Sequence, residues 1–97
     1  MMQFRFHPEA DEELFEAQAW YEKRSEAAAQ AFAMESDHAL SRIADAPLRY
    51  PQGWRGEHRF LLDRFPYTLL YRVRGDHIYI TAVAHQSRRP GYWRHRK

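Results

Sequence analysis

Gln3-Phe4-Arg5-Phe6 alternates polar and apolar residues, the period of a half-buried strand, and predicts a short β-strand at the start of the chain. Pro8 suits the first position of a helix, where its missing N–H needs no partner. Glu9, Asp11, Glu12 and Glu13 crowd the turns that follow, where the helix dipole favours negative charge. Ala10, Leu14, Ala17 and Tyr21 recur at helical spacing and mark the apolar face of a helix ending near Arg24, with Phe15 and Trp20 beside it. Ser25 is a good N-cap for a second helix. Its buried stripe is Ala29, Phe32, Ser36, Ala39 and Ile43, widened by Ala33 and Leu40, and Pro47 marks its end. The link at Arg24–Ser25 is so short that the two helices must form an antiparallel hairpin.

Residues 46–56 hold two Pro, two Gly and two aromatics and read as a loop. After it the period changes to two. His58 to Leu62 predicts a strand, and Pro66 precedes the next one. There Tyr67, Leu69, Tyr71 and Val73 share one face, and Thr68, Leu70 and Arg72 the other. Gly75-Asp76 fits a two-residue hairpin turn. His77 to His85 is β-branched, with Ile78, Ile80, Ala82 and Ala84 expected on one face and Tyr79, Thr81, Val83 and His85 on the other. The order is β-α-α-β-β-β: an α+β fold with a helical hairpin on one face of a small, mainly antiparallel sheet. The second sheet face is then open or covered by something else, and function is expected there.

Composition narrows this picture. At 97 residues the chain is expected to be one domain, residues 1–97, with a single modest core. Apolar residues at 44% and aromatics at 15% exclude a disordered tail. The absence of cysteine excludes a disulfide scaffold and a Cys-bearing zinc site. His7, His38, His58 and His77 lack metal-ligand spacing, so neither metal nor cofactor is expected. No run of about 18 apolar residues occurs, so no membrane span is expected. The opening residues turn acidic without an apolar signal core, which leads us to expect a cytoplasmic protein.

The net charge of +2 conceals an uneven distribution. Residues 1–46 carry 4 basic and 10 acidic side chains, whereas residues 47–97 carry 11 basic and 3 acidic ones. Ten of those 11 are arginine, whose planar fork binds phosphate and carboxylate and stacks on bases. The basic half therefore points to a polyanion or an acidic protein segment as partner.

Phe65-Pro66-Tyr67-Thr68-Leu69-Leu70-Tyr71-Arg72-Val73 and the run from Ile78 to Trp93, including His85-Gln86-Ser87-Arg88-Arg89-Pro90-Gly91-Tyr92, resemble the C-terminal half of the RelE/ParE toxin superfamily. Phe6-His7-Pro8-Glu9-Ala10, Trp20-Tyr21-Glu22 and the helix exit from Ile43 to Pro47 are similar to its opening. The resemblance implies a toxin of a type II toxin–antitoxin module, often described as a plasmid stabilization protein. Its partner would be a small cognate antitoxin, and operator DNA would be met only through that antitoxin. ParE-like members inhibit DNA gyrase, and RelE-like members cleave mRNA on the ribosome.

Metal-free RNA cleavage needs a base, cations for the phosphate and an acid for the leaving oxygen. By resemblance, Arg59, His85 and Tyr92 are the catalytic candidates, and Arg64, Arg72, Arg88 and Arg89 would bind nucleic acid or another target. Thr68 stands where nuclease-type relatives carry arginine, and Asp45 and Glu57 are poor matches to their upstream carboxylate. Gyrase inhibition is therefore favoured. The alternatives are a metal-independent, ribosome-dependent endoribonuclease and an inactive toxin fold that only binds its antitoxin.

Plain structural roles compete with these. His85 could cap its strand or bond a loop. Arg59 could pair with Asp63 or Glu57, and Arg64 and Arg72 could be solvated strand charges. Tyr67 and Tyr71 read as core residues, and Tyr92 and Trp93 could pin the tail to the sheet. The Glu9–Glu16 run reads as a solvated helix start. Trp54 could touch a target or close the core.

Overall fold

The computed structural model describes residues 2–53 and 55–97. The reading of Trp54 thus lies outside the described residues. Strand β1 (Gln3–Phe6) leads into helices α1 (Pro8–Arg24) and α2 (Glu26–Asp45), then strands β2 (His58–Leu61), β3 (Tyr67–Arg74) and β4 (His77–His85). The sheet order is β1-β4-β3-β2. β1 runs parallel to β4, and the other pairings are antiparallel, so the sheet is mixed.

Local chemistry explains the helix ends. His7 accepts the Glu9 N–H through Nδ1 at 3.1 Å, ahead of Pro8 in the first turn. Ser25 serves both helices: its N–H donates to the Tyr21 carbonyl at 2.8 Å, and its Oγ accepts the Ala28 N–H at 3.1 Å. The hairpin is also tied by Gln18, which donates to the Ala29 carbonyl at 2.9 Å.

The two helices cover one face of the sheet. The buried positions of α2 are the stripe read from the sequence, Ala29, Phe32, Ser36, Ala39 and Ile43. Phe32 and Ile43 meet Leu69, Tyr71, Ile78, Ile80 and Val83 in the main core. An aromatic cluster closes one end, with the Phe32 ring 5.2 Å from both Tyr21 and Phe65 and 5.6 Å from Tyr67.

The expected faces of β4 need correction. Leu70 pairs with Ala82 but Tyr71 pairs with Ile80, so Thr81 is the extra residue of a β-bulge. One added residue inverts the alternation after it. Ile78 and Ile80 face the helices as expected, but so does Val83. Ala82 and Ala84 turn to the outer face and join Leu70 beneath Tyr92 and Trp93. Part of the face expected to be open is therefore covered by the tail of the same chain.

Candidate functional site

The bulge falls where β1 stops, since Phe6 is its last residue and pairs with Ile80. Beyond this point no strand among the described residues pairs with β4 on that side. Side chains take the place of the missing strand. The Val83 N–H donates to Glu13 Oε1 at 2.9 Å, and the Thr81 carbonyl accepts from Arg96 Nη1 at 3.2 Å. Arg96 also grips Glu13 through both terminal nitrogens, at 2.9 and 3.0 Å. Tyr92 donates its phenol proton to Glu13 Oε2 at 2.6 Å, and Arg88 approaches the same oxygen at 3.3 Å. Only 13% of the Glu13 side chain and 5% of the Arg96 side chain are exposed. Glu13 is therefore no solvated helix start: it fastens the C-terminal tail to α1 and to the edge of β4.

Burial alone pushes the Glu13 carboxyl up. The bonds from Arg96, Tyr92 and the Val83 N–H, with the Arg96 charge, outweigh burial and hold it below the ordinary 4.5. A lowered value in the folded state makes the stabilisation complete above about 4.5 and removes it as pH falls through the folded value. Glu35 has the same sign: burial raises it, but the Arg64 side chain and the Asp63 and Arg64 N–H groups lower it further. Thermal melts at stepped pH should show the Tm falling as pH drops below about 5, with a shallower fall in Glu13→Gln. Equal slopes in the two proteins would contradict this role for Glu13.

The outer face of the sheet holds the candidate target surface. Arg59, Thr68, His85, Arg88 and Trp93 line one cleft of about 250 Å³. Arg72 lines a second cleft on the same face, of about 200 Å³, with Trp93 shared between the two. The structure thus brings Arg59, His85 and Arg88 together, with Arg72 nearby. Arg64 stands apart: it lies in the β2–β3 loop, not on a strand, and pairs with Glu35 of α2 at 3.2 Å. Arg89 is exposed in the tail.

Local contacts limit the chemistry of each group. His85 Nδ1 accepts the Ser87 N–H at 3.0 Å and lies 2.7 Å from Ser87 Oγ. A backbone N–H only donates, so the neutral ring carries its proton on Nε2. His85 also meets the edge of Tyr67, ring centres 5.1 Å apart. Burial raises the Tyr92 phenol well above 10.0, and its bond to the Glu13 carboxylate raises it further. That phenol stays protonated and is aimed at Glu13. Among the described residues Arg59 makes no ion pair, and Glu57 instead lies 3.7 Å from Arg72. No group of three metal-ligating side chains occurs among the described residues.

Sequence reasoning missed the pairing of Glu13 with Arg96. The available signal was a carboxylate one residue before Leu14 and four before Ala17, on the flank of the apolar face.

A model of the ParE toxin of type II toxin–antitoxin systems, parDE, matches residues 4–90. The chain belongs to the ParE toxin family. A solved structure described as the chromosomal ParDE toxin–antitoxin system from P. aeruginosa has the same fold, with a TM-score of 0.74. It is 18% identical to this ParE-family chain, over 88% of this chain and 96% of that one. No match was found among curated proteins. In this ParE-family chain no described helix is long and apolar enough to cross a membrane.

Proposed function

We propose that this ParE-family chain is a cytoplasmic toxin, that a cognate antitoxin neutralises it, and that it inhibits DNA gyrase without cutting RNA. The family match over residues 4–90 carries this reading. The geometry supports the non-nucleolytic form. An RNA-cleaving site needs groups free to move protons. Here the Tyr92 phenol is committed to Glu13, and His85 Nδ1 to Ser87. Thr68 adds no cation between Arg59 and His85. Arg59, Arg72, Arg88 and Arg89 are assigned to target contact, as guanidiniums that pair with carboxylates. The antitoxin would lay an acidic or apolar segment over the basic half. A segment that orders on binding must cover a large area to offset its lost entropy.

One observation favours ribosome-dependent cleavage as a second reading: Arg59, His85 and Arg88 line a single cleft. Induced expression separates the two. We expect growth arrest, rescue by a co-expressed antitoxin from an adjacent small reading frame, and intact mRNA. Codon-positioned mRNA ends that vanish in His85→Ala would transfer the assignment to cleavage. Undisturbed growth on induction would refute toxin action of either kind.

A further inference from the structure

The second outer-face cleft, separated from the His85 cleft by Trp93, shares Arg72 with the proposed target surface but has other features that the toxin reading does not use. Four arginines, Arg55, Arg72, Arg94 and Arg96, line it together with one carboxylate, Glu57. Arg72 is held in place by Glu57 at 3.7 Å and by donation to the Arg55 carbonyl at 3.3 Å. Arg96 is anchored from behind by Glu13. Arg72 and Arg96 are thus positioned in advance, and the lining stays positive after Glu57 is counted.

Two residues of the same lining carry buried neutral donors that lack partners. Thr81 is 3% exposed, and its hydroxyl has no hydrogen bond. The buried Trp93 Nε1–H has none either. Buried polar groups are nearly always paired, so two orphans on residues that line one cavity call for an acceptor that the described residues do not supply. Thr81 lies on the outer face by the alternation that turns Ile80 inward, at the point where the bulge then reverses that alternation.

The missing acceptor should be anionic, because guanidiniums surround it. It should also have more than two oxygens, because the residues that line the cleft carry four guanidiniums and two neutral donors. Tetrahedral phosphate meets both conditions, and arginine recognises it through paired N–H bonds. At about 200 Å³ the cleft is smaller than the roughly 300 Å³ at which small-molecule pockets begin, so it would take one anionic group and not a whole cofactor.

We propose that this cleft binds a phosphate group, with Thr81 and Trp93 as neutral donors and Arg72 and Arg94 as cations. The inference is independent of whether gyrase is the target. The test is a titration of the ¹⁵N-labelled full chain with sodium phosphate, adenosine monophosphate, sodium acetate and sodium chloride at matched ionic strength. The readout is the Trp93 indole N–H resonance, assigned with Trp93→Phe. Phosphate should move it saturably, and acetate and chloride should not. Tighter binding of the monophosphate than of inorganic phosphate would identify a phosphate ester as the natural source, and the reverse would identify the free ion. Thr81→Val should weaken phosphate binding roughly fivefold, the loss expected for one neutral hydrogen bond. Arg94→Gln should weaken it as well, and Lys23→Gln, at the exposed end of α1, should leave it unchanged. The proposal fails if acetate or chloride moves the resonance equally, if the shift does not saturate, or if Thr81→Val and Arg94→Gln both bind like the wild type.

Discussion

Glu13→Gln should destabilise the fold by about 3–5 kcal/mol, because it takes from the buried Arg96 the one carboxylate it grips through both terminal nitrogens. The Arg96 side chain is 5% exposed, so water cannot take over the lost partner. The same substitution weakens the acceptor for Tyr92 and for the Val83 N–H. In a domain of this size each kcal/mol moves the Tm by roughly 4–8 °C, so the expected fall exceeds about 12 °C. Glu9 is a useful contrast. Its side chain is 53% exposed and lies 3.6 Å from Arg96 Nε, so Glu9→Gln should change the Tm little. Adding Arg96→Met to Glu13→Gln should recover part of the loss, since a buried pair replaced whole costs less than a pair broken. A fall of less than about 4 °C in Glu13→Gln would mean the clasp is worth no more than a surface pair.

Phe32→Ala should cost a similar amount, about 3–5 kcal/mol, for a different reason. Phe32 is fully buried, and its ring sits among Tyr21 of α1, Phe65 of the β2–β3 loop and Tyr67 of β3. Removing it opens a cavity at the point where the helical hairpin meets the sheet. The surrounding rings belong to three different elements, so they cannot all move inward together. Phe32→Leu keeps most of the apolar volume and should lose less than half as much. Chemical denaturation of the two variants measures this directly. Similar midpoints for Phe32→Ala and the wild type would show that the aromatic cluster is not what joins the layers.

Much of this fold is legible in the chain because its signals are local. Pro8, Ser25 and Gly75 mark element ends through backbone chemistry that needs no distant partner. The stripe from Ala29 to Ile43 is legible because one face of α2 is buried along its whole length. The bulge at Thr81 is not legible. A period of two holds on either side of it, and only the pairing with Leu70 and Tyr71 reveals the added residue. The clasp is hidden for a related reason. Glu13 and Arg96 lie 83 positions apart, each within a run of like charge that reads as a solvated surface. Arg59, His85 and Arg88 could be brought together from the sequence because β2 and the end of β4 both flank β3. Arg64 could not be excluded from that surface, because its contact is with Glu35 on the helical side.

The proposed action is tested most directly by adding the purified chain to DNA gyrase and relaxed plasmid. Supercoiling should stop, and Arg88→Ala with Arg89→Ala should need more protein for the same block. Normal supercoiling at a large molar excess of folded chain would contradict the account.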